Sequence, residues 1–145
     1  MTAKFSTGLR NTMLETSPLK TIMNLSFIKI YSGPPPADAD AAVTGTLLTT
    51  ISNNSTGTGV TLGSAAAGVI SKAGAETWSG TNAATGTAGY FRHVAAGDTG
   101  VLSTTEKRIQ GVVALAGGEI NLASVSLVSA ATQVIDAYSI ALPTL

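Results

Sequence analysis

The chain contains a single histidine, His93, and any acid–base chemistry has to be judged around it. A serine hydrolase places a histidine between a nucleophilic serine and a carboxylate, and His93 with Asp98 or Asp136 would supply two of these groups. No Gly-x-Ser-x-Gly turn accompanies them to present a nucleophile. Many small proteins contain one histidine and many serines, so the presence of these residue types does not by itself indicate a hydrolase. The sequence therefore predicts a structural or solvent-exposed His93, no catalytic residue and no enzyme.

Two other short patterns could bind ions. Asp38-Ala-Asp40 places two carboxylates on one side of an extended segment, but it lacks the further oxygen ligands of a calcium loop. The segment 57–59 (GTG) lacks the Lys-Ser/Thr ending of a phosphate-binding loop. With no cysteine there is also no thiolate site. A solvated loop and a hairpin turn are the favoured interpretations, and we expect neither metal nor cofactor.

Charge is scarce and balanced along this chain. Asp, Glu, Lys and Arg make up 11% of the residues, against roughly 25% in an ordinary soluble domain, and eight acids balance eight bases. Lys107-Arg108 is the one adjacent basic pair, so no stripe is present that would follow a phosphate backbone. No stretch approaches the roughly 20 apolar residues of a membrane span. We expect neither nucleic acid nor membrane as a partner, and synthesis in the cytoplasm.

The same shortage of charge indicates a surface covered by other protein. A free monomer stays dispersed largely through surface charge, whereas this chain derives its polarity from Thr, Ser, Asn and Gly. These residues form hydrogen bonds without the cost of burying an ion, which suits contacts that remain closed. The composition favours a structural subunit.

Short segments of strand-forming residues recur between turn residues. Glycine- and asparagine-rich segments such as 53–59, 79–82 and 96–100 accept the backbone conformations of turns. No amphipathic crossover helix separates the strands, which argues against a parallel sheet. The sequence predicts an all-β domain over residues 25–145, an antiparallel, jelly-roll-like sandwich. The predicted strands are 25–32, 46–52, 69–72, 75–78, 87–95, 108–115, 119–127 (bent) and 133–142.

Residues 1–24 are predicted to form an arm with one short helix. Ser6 is a suitable N-cap, and the segment 16–18 (TSP) ends the helix. Its apolar side chains would be costly to leave in water. Two arrangements follow: the arm docks on a neighbouring subunit or on a larger shell, or it folds back onto its own sandwich. In the first arrangement the interface residues are Phe5, Leu9, Met13 and Leu14.

The aromatic segment around residue 90 supplies one more interface candidate. Alternation along a strand places Phe91 and His93 on one face, and Tyr90 and Arg92 on the other. Trp78 and Phe91 are predicted to fill the sandwich. Because arginine is enriched in interface hot spots, Arg92 is the candidate interface residue of this strand.

Several segments, in the same order over most of the chain, resemble small structural proteins of tailed bacteriophages. They are 9–11 (LRN), 28–42 (IKIYSGPPPADADAA), 77–81 (TWSGT), 86–92 (GTAGYFR) and 103–111 (STTEKRIQG). The resemblance implies a virion component, in particular a decoration or cement protein on the capsid surface that binds the major capsid protein. It supplies no catalytic residues.

Cement proteins commonly sit where capsomers meet in threes, so a homotrimer is expected, in which symmetry multiplies a weak contact. Two alternatives to the capsid role stay open. One is a tail or head-fibre component. The other is a carbohydrate- or receptor-binding sandwich that presents Trp78 or Tyr90 as an exposed aromatic platform. A small hydrolase that uses His93 is a further class of function that stays open beside these.

Overall fold

The fold was determined as a computed structural model, which describes residues 3–143. Strands and turns alternate along the chain after a short helical segment. The helices are α1 (Thr7–Glu15) and α2 (Leu19–Ile22). The strands are β1 (Lys4–Phe5), β2 (Phe27–Ser32), β3 (Leu47–Asn53), β4 (Val69–Ser71), β5 (Trp78–Thr81), β6 (Gly86–Val94), β7 (Arg108–Ala114), β8 (Ile120–Asn121), β9 (Ser126–Leu127), β10 (Thr132–Ile135) and β11 (Ser139–Ala141).

Two sheets of unequal size make up the fold. The large sheet runs in the order β1-β7-β6-β2-β3-β5-β10, with β8 paired to β7 and β9 paired to β6. Its pairings are antiparallel except for the short β7–β8 pair. The small sheet consists of β4 and β11, also antiparallel. The prediction of an all-β, antiparallel, sandwich-like fold with a short N-terminal helix is confirmed.

The register of the central strands gives the large sheet two different faces. Ile28, His93 and Ile109 are aligned across β2, β6 and β7, and this face belongs to the main core. The next position along each strand carries a polar side chain, and we call the face they share the polar face. Its aligned residues are Lys29, Arg92 and Gln110.

The main core lies between the large sheet and the elements that pack on its apolar face. The large sheet contributes Ile30, Ile51 and Phe91, among others. The small sheet and the chain around it contribute these buried side chains: Val60, Leu62, Ile70, Tyr138 and Ile140. The N-terminal segment contributes Leu9, Leu19 and Met23. In the described part of residues 1–24, the predicted arm therefore shares the core of the sandwich.

The N-terminal helix forms for the reasons that the sequence suggests. Ser6 is extended at the N-cap, and its hydroxyl accepts a hydrogen bond from the Leu9 amide at 3.2 Å. The helix ends at Glu15, with Thr16 as its C-cap. No helix in residues 3–143 is long and apolar enough to cross a membrane.

Three predicted strands differ from the observed ones. The strand predicted at 75–78 begins at Trp78, because residues 73–76 form a turn in which the Glu76 amide donates to the Ala73 carbonyl. The strand predicted at 119–127 is two separate pairs, β8 and β9. The strand predicted at 133–142 divides into β10, which pairs with the large sheet, and β11, which pairs with the small one. The buried residues on either side of this last break, Ile135 and Tyr138, lie three positions apart, so the alternation of buried side chains shifts where the chain changes sheet.

Candidate interaction surface

Two loops cover the polar face of the large sheet. They are residues 33–46 and 95–107, and we call them the loop layer. Backbone hydrogen bonds join the two loops, from the Val43 amide to the Gly100 carbonyl at 2.8 Å and from the Ser103 amide to the Asp40 carbonyl at 2.9 Å. The layer is thus a second covering of the sheet, opposite the main core.

Arg108 attaches both loops to the sheet. Its Nε lies 2.6 Å from Oδ2 of Asp98, and both side chains are buried. A second bond runs from Nη2 to Oδ1 of Asp98 at 2.9 Å, and the same Nη2 donates to the Val101 carbonyl at 2.7 Å. Its Nη1 donates to carbonyls of the other loop, at Ala39 and Asp40. One guanidinium therefore fixes backbone positions in both loops.

Arg92 anchors the first loop from the neighbouring strand. Its Nη2 donates to the Ala41 carbonyl at 2.8 Å and its Nε to Oε1 of Gln110 at 2.8 Å. Gln110 in turn donates to the Pro36 carbonyl at 2.8 Å. Only 1% of Arg92 is exposed. In this conformation Arg92 supports the loop layer from beneath through Nη2, whereas its buried Nη1 has no hydrogen-bond partner among the described residues. Its assignment as an interface residue stays a prediction.

The outer side of the loop layer carries exposed apolar side chains. Leu102 is 74% exposed and Val101 is 60% exposed, although the Val101 carbonyl is held by Arg108 from below. Leu115, after β7, and Val128, after β9, are exposed as well. Val101 and Leu102 are adjacent, and contiguous exposed apolar groups are what marks a contact surface, so this part of the loop layer is the candidate.

The predicted interface residues of the N-terminal segment have separate locations. Leu9 is fully buried in the main core, and Phe5 and Met13 are half-buried against it. β1 pairs with β7, and Ser6 exchanges hydrogen bonds with Glu106 and Arg108. The described conformation is thus the second arrangement, in which the segment folds back onto its own sandwich. Leu9 faces its own core, where no neighbouring subunit can reach it.

Leu14, Phe5 and Met13 are the members of this set that border solvent. Leu14 is 85% exposed near the end of α1. Phe5 lines a groove of about 510 Å³ between the N-terminal segment and β11, together with Arg10 and Glu119. Of the five predicted interface residues, Leu14 is the one with a mostly exposed side chain.

His93 lies inside the main core. It is fully buried, with Nε2 hydrogen-bonded to the Ser26 hydroxyl and Nδ1 3.0 Å from the Tyr138 hydroxyl. Burial lowers the pKa of His93 to about 3. Asp98 is bound to Arg108 on the polar side of the sheet, so it does not orient this imidazole. Among the described residues, the hydrogen-bond partners of the ring are the hydroxyl groups of Ser26 and Tyr138.

The two aspartates of the 38–40 pattern stabilise the backbone. Oδ1 of Asp38 accepts hydrogen bonds from the amides of Asp40 and Ala41. The Asp40 carboxylate accepts from the amide and hydroxyl of Thr7 at 2.8 and 2.6 Å, which adds a second cap to α1. Burial acts to raise the pKa of Asp40, but the bonds from Thr7 outweigh it and the pKa is lowered. The pair thus serves loop and helix geometry.

All seven aromatic side chains are buried or half-buried. Trp78 and Tyr90 are both fully buried. The Tyr90 hydroxyl donates to the Thr44 carbonyl at 2.6 Å and accepts from the Thr44 amide. Neither ring is available as an exposed platform for a sugar.

Comparison of the chain with protein-family models, with curated proteins and with solved structures finds no match. Its surfaces are therefore interpreted from their own geometry. Sequence reasoning missed the loop layer and the anchoring role of Arg108. The one signal available was the alignment of polar positions on three apolar strands, at Lys29, Arg92 and Gln110, which becomes visible only when the strand register is known.

Proposed function

We propose that this chain is a non-enzymatic structural protein of a tailed-phage virion, one that decorates or cements the capsid shell as a homo-oligomer. The expected partners are the major capsid protein and further copies of the chain. The order of the resembling segments supports the phage assignment. The location on the capsid rests on that resemblance.

The observation that carries a contact function is the surface of the fold. Large apolar side chains are exposed at Leu14, Val101, Leu102 and Leu115. At the same time, scarce charged groups are used inside the molecule, as at Arg92, Arg108 and Asp98. A surface with few charges and several exposed leucines is poorly suited to a free monomer. It suits a subunit whose faces are covered by protein.

The loop layer supports the same proposal. Arg92 and Arg108 hold its carbonyl groups from beneath, so Leu102 projects from a backbone with little freedom to lose on binding. Preorganised loops retain more of their contact energy because less is spent on ordering. An anchored loop that presents apolar side chains is a suitable contact element for a permanent assembly.

A map of the intact particle tests the location. Virions of the phage that encodes the chain are purified, their proteins are identified by mass spectrometry, and the particle is imaged by electron cryomicroscopy. Density for this fold on the outer shell, where capsomers meet, is the expected result. Density on the tail or on head fibres would favour the alternative role, and absence of the chain from purified particles would overturn the proposal.

The oligomeric state is tested separately on the purified protein. Light scattering is expected to give three times the monomer mass of 14.5 kDa at assembly concentrations. A strictly monomeric mass, both free and on the particle, would contradict the trimer.

A further inference from the structure

Three buried side chains form a continuous hydrogen-bonded array across the main core. The Ser26 hydroxyl donates to the Met23 carbonyl at 2.7 Å and is bonded to Nε2 of His93. Nδ1 of His93 is bonded to the Tyr138 hydroxyl at 3.0 Å. Ser26 and His93 are fully buried, and Tyr138 is nearly so. We call these three residues the core array.

The protons of the core array can be assigned from its bonds. A serine hydroxyl has one proton, and that of Ser26 is given to the Met23 carbonyl. Ser26 must therefore accept from His93, which places the imidazole proton on Nε2. The unprotonated Nδ1 then accepts the proton of the Tyr138 hydroxyl. With a neutral imidazole, every donor and acceptor between Met23 and Tyr138 is used once.

A second proton on His93 disrupts this pattern. It would lie on Nδ1, so the Tyr138 hydroxyl would have to turn its own proton away and accept instead, and within residues 3–143 that proton has no other hydrogen-bond acceptor. The charged ring would also be buried without a carboxylate partner from residues 3–143, and burial is the cause of its lowered pKa. Protonation therefore costs the closed array one hydrogen bond and places a charge in the main core.

The other ionisable groups around the array do not relieve the conflict. Burial, and then the charge of Glu119, raise the pKa of Tyr138, so this phenol keeps its proton. Glu76 and Lys72 face Trp78, the ring that packs edge-on against His93. The two buried arginines lie on the polar face of the sheet, away from the imidazole. No charge from these elements compensates an imidazolium.

The core array joins parts of the chain that are far apart in sequence. Ser26 lies between α2 and β2, and it also exchanges backbone hydrogen bonds with Val60. His93 lies on β6 in the middle of the large sheet. Tyr138 directly precedes β11, and its carbonyl accepts from the Lys72 amide. The array thus ties the end of the N-terminal segment and the small sheet to the same central strand.

We propose that Ser26, His93 and Tyr138 form an acid-operated latch, which holds residues 19–26 and β11 on the large sheet at neutral pH and releases them on acidification. This inference does not depend on the proposed virion role. It concerns the response of the fold to the pH of the solution.

The size of the effect follows from the difference between the closed and open states. An opened His93 regains the ordinary histidine pKa of 6.5, whereas the closed ring is neutral down to a pKa of about 3. The open state binds the proton more tightly, so stability is fully present above pH 6.5 and falls as the pH drops below it. Between about pH 8 and about pH 4.5 the opening constant is expected to rise roughly 100-fold.

Hydrogen exchange with mass spectrometry tests the latch. Wild type and His93→Gln are compared at about pH 8 and about pH 4.5, after correction for the intrinsic pH dependence of amide exchange. Glutamine can donate and accept at this position but does not titrate. In wild type, residues 19–26 and 136–142 are expected to lose roughly 100-fold in protection on acidification, while β6 and β7 stay protected. The variant is expected to change little between the two conditions.

Two outcomes of this experiment would overturn the proposal. One is an equal loss of protection in wild type and variant. The other is a loss spread evenly over the chain, which would indicate global unfolding without a local release.

A measurement on unmodified protein covers the case in which the variant fails to fold. Nitrogen-15 spectroscopy of the His93 ring is expected to show the neutral form with the proton on Nε2 at about pH 5, where an exposed histidine is mostly charged. A proton on Nδ1, or a charged ring in the folded protein at that pH, would contradict the assigned array and with it the latch.

Discussion

Arg108 and Asp98 form a bidentate ion pair between the large sheet and the loop layer. The two bonds measure 2.6 Å from Nε to Oδ2 and 2.9 Å from Nη2 to Oδ1. Oδ1 also accepts from the Gly100 amide at 2.7 Å. Asp98 thus shapes the turn that contains it and neutralises the guanidinium beneath. Arg92, on the neighbouring strand β6, is held by Gln110 and loop carbonyls without a carboxylate among its hydrogen-bond partners.

We predict that Asp98→Asn destabilises the protein by about 3–5 kcal/mol, because it leaves the buried Arg108 guanidinium without its counter-charge. Urea unfolding followed by circular dichroism measures the change. Asp38→Asn is the matched control, because that exposed carboxylate accepts bonds from loop amides, a role that an asparagine side chain can also fill. A loss below about 1 kcal/mol for Asp98→Asn would show that loop carbonyls alone satisfy Arg108.

The same aspartate predicts a loss of stability at strongly acidic pH. Burial acts to raise the pKa of Asp98, but the bonds from Arg108 and the Gly100 amide outweigh it, and the pKa falls below its ordinary 3.8. Stabilisation by this carboxylate is therefore present above pH 3.8 and is lost as the pH falls through its lower folded-state pKa. Unfolding free energies measured below pH 4 should decline more steeply in wild type than in Asp98→Asn. If the unfolding free energies of wild type and Asp98→Asn fell in parallel below pH 4, the lowered pKa of Asp98 would be contradicted.

The two faces of the large sheet were partly predictable from sequence. Alternation along β6 places Phe91 and His93 on one side and Arg92 on the other, as the structure has them. The helix start at Ser6 was equally local, since an N-cap acts within one turn. What alternation cannot show is what covers each face. Arg92 faces loop carbonyls that lie more than 50 residues away in sequence, so its burial depends on tertiary contacts.

The N-terminal segment illustrates the same limit. Its apolar residues required a partner, but pattern alone could not distinguish a neighbouring subunit from the chain's own sheet. The pairing of β1 with β7 and the bonds of Ser6 to Arg108 decide for the latter in the described conformation. These contacts span about a hundred residues, and the only local sign of them is an apolar helix face.

The two leucines of α1 provide a matched pair of substitutions. Leu9→Ala is expected to cost about 2–5 kcal/mol of unfolding free energy, because it opens a cavity in the main core. Leu14→Ala should change stability by no more than about 0.5 kcal/mol, since that side chain is in solvent. Thermal and urea unfolding of both variants give the comparison. Similar losses for the two would mean that α1 is not seated as described.

Substitution of Leu102, the exposed leucine of the loop layer, tests whether this layer is a contact surface. Leu102→Ser is expected to lower the association constant of the assembly roughly 10- to 100-fold, the equivalent of one large apolar side chain left unburied. Stability of the isolated subunit should be unchanged. Thr104→Ser, on the same exposed loop, is the control. Sedimentation or light scattering over a concentration series measures association, and equal association of all three proteins would place the contact elsewhere.

At Gly8, helix propensity and packing predict opposite effects of an alanine substitution on the stability of the protein. Alanine is the better helix former by about 1 kcal/mol, so propensity alone predicts that Gly8→Ala stabilises α1. In the fold, however, a Cβ at this position would overlap the carbonyl of Thr105 and lie 2.8 Å from that of Glu106. Because both contacts are with backbone, the helix itself would have to shift away from the loop layer.

We therefore predict that Gly8→Ala destabilises the protein by about 1–3 kcal/mol, the usual range for overpacking. Gly74→Ala is the control: its Cβ would meet nothing within 4 Å, so the substitution should be neutral or stabilise by up to about 1 kcal/mol through the unfolded state. Urea unfolding of both variants separates the two effects. A gain of stability in Gly8→Ala equal to that in Gly74→Ala would mean that α1 does not pack against Thr105, and the close contact between the N-terminal helix and the loop layer would have to be abandoned.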